Sequence, residues 1–164
     1  LPVMSAEATG LRAKVLTVSD AVAAGTREDR SGPALAERLE VAGFEVVDRR
    51  VVADGRAEVG EAIVELAEGF AGLVVTTGGT GFGPRDLTPE GTMVVIDREA
   101  PGLAEAMRAA NPLGRLSRGV AGTRAQALIL NTPGSPAGAV ECLEAVLDVL
   151  PHALRLLAGR PCGH

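Results

Sequence analysis

Aromatic side chains are nearly absent from this chain, which contains no Trp, no Tyr and only three Phe. A hydrophobic core must therefore be built from Ala, Val, Leu and Ile. Proteins that bind single-stranded nucleic acid usually stack the bases on aromatic rings in a positively charged groove. Since the net charge is −5 and rings are so few, we predict that the chain does not bind nucleic acid.

Lysine, cysteine and histidine are also scarce. Lys14 is the only lysine, so a phosphate site is expected to use arginine, backbone N–H groups or a metal. Cys142 and Cys162 match no metal-binding spacing, and His152 and His164 are too few for a histidine-based metal centre. We predict no structural disulfide, in keeping with the cytoplasmic location that we expect.

Long apolar segments are missing as well. No apolar run reaches the roughly 18 residues of a membrane-spanning helix, and the N-terminus lacks the pattern of a signal peptide. We therefore expect no membrane association. A chain of 164 residues is long enough for one domain with a sizeable core. We predict a flexible leader over residues 1–10, a single domain over 11–159 and a tail over 160–164.

Short apolar segments alternate with stretches of helical periodicity. Strands are predicted at Lys14–Ser19, Phe44–Ala53, Gly72–Thr77, Val120–Arg124 and Ala127–Asn131. Helices are predicted from Ser31 onwards and at Arg56–Gly69, Pro89–Asp97, Gly102–Asn111 and Ala137–Leu157. Pro151 must kink or restart the last helix, Asp20–Ser31 is a predicted loop, and Asn111–Gly114 is a predicted turn. The alternation indicates an α/β fold with a mostly parallel sheet that helices cover on both faces.

The most distinctive segment is VVTTGGTGFGPRDLTPE at Val74–Glu90. A buried strand runs into the glycine-rich segment Gly78–Gly81, and Thr88-Pro89 then carries the signals of a helix start. A strand, a glycine loop and a helix N-terminus in succession present backbone N–H groups to an anion, most often a phosphate. Asp86, just after the loop, is suited to hold a divalent metal against that phosphate. The segment indicates a site for a nucleotide or a phosphate ester.

Glycine clusters also form tight turns that bind nothing, and for the motif alone this alternative stays open. Two familiar nucleotide motifs are excluded. No Gly-Lys-Ser/Thr follows the loop, so it is not a Walker A element, and GGTGFG lacks the spacing of the dinucleotide-binding fingerprint. Neither P-loop hydrolysis nor NAD binding is therefore predicted.

Small and polar residues follow four of the predicted strands. These segments are Ser19-Asp20, Asp54, Thr77–Gly81 and Asn131–Gly134, the last of which includes Pro133. Ligands of open α/β sheets bind outside the carboxyl ends of the strands. We therefore predict that the four segments form one substrate-binding site, although each acid taken singly is better explained as a solvated loop residue.

Six ordered blocks carry a resemblance to a known family. They are LTVSD at Leu16–Asp20, DRSGP at Asp29–Pro33, TTGGTGFGPRDLTPE at Thr76–Glu90, REAPGL at Arg98–Leu103, LSRGVAGTR at Leu116–Arg124 and LILNTPGSP at Leu128–Pro136. Over about residues 12–158 the chain resembles the MogA/MoaB family, which includes the G domains of gephyrin and its plant counterpart. The resemblance implies a three-layer αβα domain.

The resemblance also implies a role in molybdenum cofactor biosynthesis. Members of the family bind molybdopterin, transfer AMP from Mg-ATP to its terminal phosphate and release pyrophosphate. The resemblance therefore implies Mg²⁺ as a cofactor and ATP and molybdopterin as substrates. A homotrimer and a downstream molybdenum insertase are implied partners. Two alternatives stay open: a carrier that binds molybdopterin without catalysis and, with less support from the loop sequence, a nucleotide pyrophosphatase of the competence/damage-inducible type.

Several residues match functional positions of that family. Asp54 and Asp86 match two functional aspartates, which are expected to hold Mg²⁺. Gly78, Gly79, Thr80 and Gly81 match the loop that receives a phosphate, with Thr80 as a side-chain donor. Arg85 is expected to add a charged hydrogen bond to phosphate. No nucleophilic Cys or Ser-His pair is recognisable, in keeping with catalysis by positioning and charge neutralisation.

Other matches carry less defined roles. Ser117 and Asn131 match positions linked to pterin binding or catalysis, and Asp20, Asp29 and Ser31 lie in blocks near the nucleotide. The chain also departs from the family pattern. Gly55 follows Asp54 where Glu is usual, Gly91 replaces a commoner Ala in the TPE-x-T helix start, and Ala125 stands where Gly is frequent.

Overall fold

The computed structural model describes residues 10–159. The predicted tail, with Cys162 and His164, and all of the predicted leader except Gly10 lie outside the described residues. None of the helices within residues 10–159 combines the length and the apolar character that crossing a membrane demands.

A six-stranded sheet forms the centre of the fold. Its strands are β1 (Arg12–Val18), β2 (Glu45–Val52), β3 (Gly72–Thr77), β4 (Arg98–Glu99), β5 (Ala121–Arg124) and β6 (Ala127–Thr132). They lie in the order β2-β1-β3-β6-β5-β4. The strands β1, β2, β3 and β6 are parallel, whereas β5 runs antiparallel to its neighbours β4 and β6. The prediction of a mostly parallel sheet is confirmed; β4 has only two residues and shows no periodicity that a sequence could reveal.

Helices cover both faces of this sheet. They are α1 (Asp20–Ala23), α2 (Ser31–Val41), α3 (Arg56–Ala67), α4 (Thr88–Val95), α5 (Pro101–Arg108), a 3₁₀ helix (Pro112–Leu116), α6 (Pro136–Glu144) and α7 (Leu150–Leu157). The predicted restart near Pro151 is confirmed, because α7 begins at Leu150 with the proline in its first turn, where no N–H is needed.

Two predictions of local structure are wrong. The predicted loop Asp20–Ser31 begins with α1, a single turn that Ser19 caps by accepting the N–H of Val22 at 3.2 Å. The predicted turn Asn111–Gly114 is instead the start of the 3₁₀ helix, which Asn111 caps in the same way by accepting the N–H of Gly114 at 3.0 Å. One-turn helices offer too few residues for a hydrophobic period, so they are read as loops.

The core has two parts, one on each face of the sheet. Neighbouring strand residues point to opposite faces: Val15 and Leu73 pack with α2, α5, α6 and α7, whereas Leu16 and Val74 pack against α3. All six residues of β3 are buried, as are all six of β6. The result is the expected three-layer αβα arrangement, with β3 and β6 at its centre.

Gly91 allows α4 to approach α3 closely. A Cβ at this position would lie 2.7 Å from the carbonyl oxygen of Arg56 and 3.0 Å from the Cβ of Val59. We expect Gly91→Ala to lower the free energy of unfolding by about 1–3 kcal/mol, because the overlap with the backbone outweighs the better helix propensity of alanine. Urea denaturation of both proteins measures the change.

Gly102 of α5 provides the matched control for this substitution. A Cβ at Gly102 would have no neighbour within 4 Å. Gly102→Ala should therefore be neutral or stabilise the protein by up to about 1 kcal/mol. A Gly91→Ala protein as stable as the unaltered protein would contradict the close contact between α3 and α4.

Candidate functional site

A cleft of about 1130 Å³ opens at the carboxyl ends of β1, β2, β3 and β6. From β1 the chain passes to β2 on one side and then, through α3, to β3 on the other side of β1. Ligands of open α/β sheets bind at such a reversal of the strand order. The predicted site residues in its lining are Ser19, Ser31, Asp54, Gly78, Gly79, Thr80, Gly81, Asp86, Ser117, Pro133 and Gly134. Asp20, Arg85 and Asn131 are not part of this lining.

The glycine loop Gly78–Gly81 is held on one side by the start of α4. The hydroxyl group of Thr88 donates to the carbonyl of Gly78 at 2.9 Å, and the N–H of Thr88 donates to the carbonyl of Gly79 at 3.1 Å. Gly79 has a φ of 70°, and a Cβ here would overlap Oγ1 of Thr88. Only glycine lets the helix come this close to the loop.

On its other side the loop is held by Arg118, which follows the 3₁₀ helix. The backbone N–H of Arg118 donates to the carbonyl of Thr80 at 2.9 Å, its Nε to the carbonyl of Gly81 at 2.8 Å, and its Nη2 to the carbonyl of Asp86 at 2.6 Å. The guanidinium also pairs with both carboxylate oxygens of Glu90, at 2.6 and 3.3 Å. The hydrogen bond from Arg118 holds the pKa of Glu90 below its usual value, so the pair stays ionised at neutral pH.

These contacts give the glycine loop a polarity, by which we mean that its carbonyl groups are hydrogen-bonded whereas most of its N–H groups are free. The carbonyl groups of Gly78–Gly81 are all hydrogen-bonded to Thr88 or Arg118. The N–H of Gly78 donates to the carbonyl of Thr132 at 3.0 Å, but the N–H groups of the next three residues have no acceptor within residues 10–159. Three successive free N–H groups in the lining of a cleft are the kind of arrangement that suits an anion, so the predicted phosphate contact of this loop stays a prediction.

Asp54 is fixed at the end of β2 by Asp20, at the end of β1. The N–H of Asp20 donates to Oδ2 of Asp54 at 2.9 Å, and the N–H of Asp54 donates to Oδ1 of Asp20 at 3.1 Å. The other carboxylate oxygen of Asp54 lies near the glycine loop, 3.2 Å from where a Cβ of Gly79 would be. Burial raises the pKa of Asp54, and the nearby negative charges of Asp20 and Asp86 raise it further.

Arg85 binds Asp20 instead of facing the cleft. Its Nε donates to Oδ2 of Asp20 at 2.6 Å, and its Nη2 donates to Oδ1 at 3.1 Å and to the carbonyl of Asp54 at 2.9 Å. The hydrogen bond from Arg85 lowers the pKa of Asp20. This placement differs from the phosphate contacts that we predicted for Arg85 and Asp20. The two side chains satisfy each other, and they tie together the ends of β1 and β2 and the segment after β3.

Asp86 stands at the far end of the glycine-rich segment. Its Oδ2 accepts the N–H of Gly83 at 2.9 Å, and its own N–H donates to the carbonyl of Gly83 at 3.0 Å. This tight turn leaves Oδ1 without a donor among the described residues. Asp54 and Asp86 therefore each present one carboxylate oxygen beside a loop of free N–H groups.

Comparison with known proteins identifies the family of the chain. Residues 14–152 match the model of a family described as a probable molybdopterin binding domain. The chain belongs to this molybdopterin-binding family. It is 39% identical over 152 residues to the molybdopterin adenylyltransferase of Helicobacter pylori strain J99, covering 88% of this chain and 86% of that one. It is 38% identical over 169 residues to the Escherichia coli K12 enzyme of the same name, with 91% and 86% covered.

A solved structure of the same family shares the fold. The molybdopterin biosynthesis enzyme MoaB from Thermus thermophilus superimposes with a TM-score of 0.84 at 49% identity, covering 92% of this chain and 98% of that one. The resemblance to the MogA/MoaB family is thereby confirmed.

The acidic residues of this member of the molybdopterin-binding family suit a magnesium ion. Within residues 10–159, no three or more His, Cys, Asp or Glu side chains are grouped so as to hold a metal by themselves. Asp54 and Asp86 each have an oxygen to offer, and Mg²⁺ usually takes one or two carboxylates together with water and substrate phosphates. The donor set therefore fits an ion that arrives with a nucleotide.

The side chain of Asn131 lies in the interior of the protein and outside the lining of the cleft. It is buried, and its Oδ1 accepts the N–H of Val120 at 3.1 Å. Its Nδ2 donates to the hydroxyl oxygens of Thr76 and Thr92 at 3.0 and 3.1 Å. The side chain thus connects β6 to β3 and α4. Its contact with a pterin stays a prediction.

Asp29, Ser31 and Ser117 lie in the wall of the cleft. Asp29 accepts the hydroxyl of Thr17 at 2.8 Å and the N–H of Gly32 at 3.0 Å, so a carboxylate already occupies the N-terminus of α2. Ser117 accepts the N–H of Gly119 at 3.2 Å. The roles predicted for these side chains are compatible with their positions and remain predictions.

Sequence reasoning missed several residues of this site. Arg27 lines the cleft and donates to Oγ of Ser19 at 3.3 Å, and the exposed side chains of Leu113 and Leu116 also line it. No motif distinguishes Arg27 or Leu113 in the sequence, and Leu116 opens the LSRGVAGTR block without any predicted role. Arg118 lies in the LSRGVAGTR block, but only the fold shows that it reaches back to the glycine loop.

Proposed function

We propose that the protein is a molybdopterin adenylyltransferase, which transfers AMP from ATP to the terminal phosphate of molybdopterin. The observation that carries the proposal is the polarity of the glycine loop, whose free N–H groups lie beside the carboxylates of Asp54 and Asp86. The names of the relatives from Helicobacter pylori and Escherichia coli support the same activity.

The reaction exchanges one phosphorus–oxygen bond for another. An oxygen of the terminal phosphate of molybdopterin attacks the α-phosphorus of ATP, the bond from that phosphorus to the bridging oxygen breaks, and pyrophosphate leaves. Both substrates are anions, so catalysis depends on holding them together and on balancing their charge. No covalent intermediate on the protein is required.

The residues of the cleft divide this work. The N–H groups of Gly79, Thr80 and Gly81 receive a phosphate without the cost of reorganising the loop, because their carbonyl groups are already engaged. Asp54 and Asp86 would hold Mg²⁺, which would supply positive charge to balance the phosphate oxygens. Arg27 adds a positive charge to the lining of the cleft.

Pyrophosphate release from Mg-ATP, measured with and without molybdopterin, tests the proposal. Release that depends on molybdopterin supports adenylyl transfer. Binding of molybdopterin without release would replace the proposal with the carrier function. Release from ATP without molybdopterin would indicate a pyrophosphatase, and no binding of either ligand would overturn both the transferase and the carrier.

The assembly and location also belong to this proposal. We infer a homotrimer that works in the cytoplasm and passes its product to a molybdenum insertase, as the family resemblance implies. The exposed apolar side chains of Met93 and Val94 on α4 are compatible with a contact between subunits. Light scattering that gave the mass of a monomer would contradict the trimer.

A further inference from the structure

The polarity of the glycine loop has a cause outside the loop. A glycine segment can expose its carbonyl groups as easily as its N–H groups, because glycine tolerates both orientations of the peptide. An exposed carbonyl would repel a phosphate. Some partner must therefore bind the carbonyl groups and keep them turned from the anion.

Arg118 is that partner for the second half of the loop. Its guanidinium reaches two carbonyl groups, those of Gly81 and Asp86, and its backbone N–H reaches a third, that of Thr80. Glu90 accepts from Nη1 and Nη2 of the guanidinium through both of its carboxylate oxygens and so fixes its orientation. The fork of an arginine suits this task, because it offers five N–H groups in one plane.

The placement of Arg118 joins two parts of the site. Arg118 directly follows Ser117, which lines the cleft, and it binds the carbonyl of Asp86, whose carboxylate lines the cleft as well. The side chain of Arg118 itself is not in the lining of the cleft.

We propose that Arg118 is a positioning residue that sets the direction of the glycine-loop peptides, so that the N–H groups of residues 79–81 face the bound phosphate. This inference rests on the proposed function of the loop. According to this inference, the affinity of the loop for phosphate depends on the side chain of Arg118, which does not itself contact phosphate. The forked shape of the guanidinium is then required as well as its positive charge.

Binding of inorganic pyrophosphate in the presence of EDTA isolates the loop from any metal. Calorimetry gives the affinity, and ¹⁵N–¹H spectra report on the amides of Gly79, Thr80 and Gly81 individually. We expect the unaltered protein to bind and to shift these amides. Arg118→Met and Arg118→Lys should both lose at least about tenfold in affinity, because neither replacement can bridge two carbonyl groups and a carboxylate.

Arg124→Met is the matched control. Arg124 also donates to a backbone carbonyl, that of Val95 at 2.6 Å, but it lies outside the lining of the cleft. This variant should bind pyrophosphate like the unaltered protein. Urea denaturation identifies which variants fold. If Arg118→Met does not fold, the conservative Arg118→Lys variant still tests the proposal.

The outcomes separate this inference from the proposed function. Equal pyrophosphate affinity and equal amide shifts in the unaltered protein and in a folded Arg118→Lys variant would overturn the role of Arg118 alone. No pyrophosphate binding by the unaltered protein would overturn the phosphate site, and with it both proposals. Weaker binding by the Arg118 variants together with unchanged binding by Arg124→Met supports the inference.

Discussion

Asp54→Asn is expected to lower molybdopterin-dependent release of pyrophosphate by on the order of 10³-fold. The substitution keeps an oxygen that can accept the N–H of Asp20, so the loop after β2 stays in place. It removes the negative charge that would hold a cation against the phosphates, and losses of roughly 10²–10³-fold are typical when one preorganised electrostatic contact is deleted. A coupled assay for pyrophosphate measures the rate.

The same variant should be no less stable than the unaltered protein in metal-free buffer. Burial raises the pKa of Asp54, so the ionised carboxylate is disfavoured in the folded state. The folded protein consequently loses stability as the pH rises through this raised pKa, whereas the asparagine variant lacks this loss. Urea denaturation at acidic and neutral pH measures the difference.

Asp148→Asn provides the control for charge alone, since Asp148 is exposed between α6 and α7 and lies outside the cleft lining. It should retain full activity. An Asp54→Asn protein with more than about a tenth of the normal activity would exclude an essential role for this carboxylate.

Gly79→Ala should damage both the fold and the phosphate site. A Cβ here would overlap Oγ1 of Thr88 and would approach Oδ1 of Asp54 to 3.2 Å, at a φ of 70° that alanine disfavours. We expect the free energy of unfolding to fall by about 2–4 kcal/mol, and the affinity for pyrophosphate to fall at least about tenfold, as Thr88 is displaced from the loop. Urea denaturation and calorimetry provide the two measurements.

Gly69 separates backbone strain from this collision. It has a φ of 60°, and a Cβ there would have no neighbour within 4 Å. Gly69→Ala should therefore cost only the conformational penalty of about 1 kcal/mol and leave ligand binding intact. Equal losses of stability in the two variants would mean that the contact between Gly79 and Thr88 is absent.

The sequence predicts the layers of this fold better than its short elements. Periodicity extends over whole strands and long helices, so β3 and α3 begin at the expected residues, Gly72 and Arg56. It fails for α1 and β4, because their structure depends on partners elsewhere in the chain. The hydrogen bond from the N–H of Asp20 to Oδ2 of Asp54 and the pairing of Arg98 with Thr123 are such contacts.

The site was predictable in outline because it follows from the sheet. Ligands bind at the carboxyl ends of strands, and the sequence already shows which residues follow each strand. The binding partners of the two arginines, Arg85 and Arg118, were not predictable. Arg85 adjoins the glycine loop in sequence but binds Asp20, whereas Arg118 is distant in sequence but binds the loop. Only the crossing of segments in space distinguishes the two.

The exposed ring of Phe82 marks a position for a fluorescent reporter of ligand binding. Phe82 directly follows the glycine loop, and 71% of it is accessible to solvent. Because the chain has no Trp and no Tyr, an indole introduced by Phe82→Trp would be its sole strong fluorophore. The indole ring is amphipathic, and its emission depends on the polarity of its surroundings. That emission would follow the filling of the loop in real time, with no background from the rest of the protein.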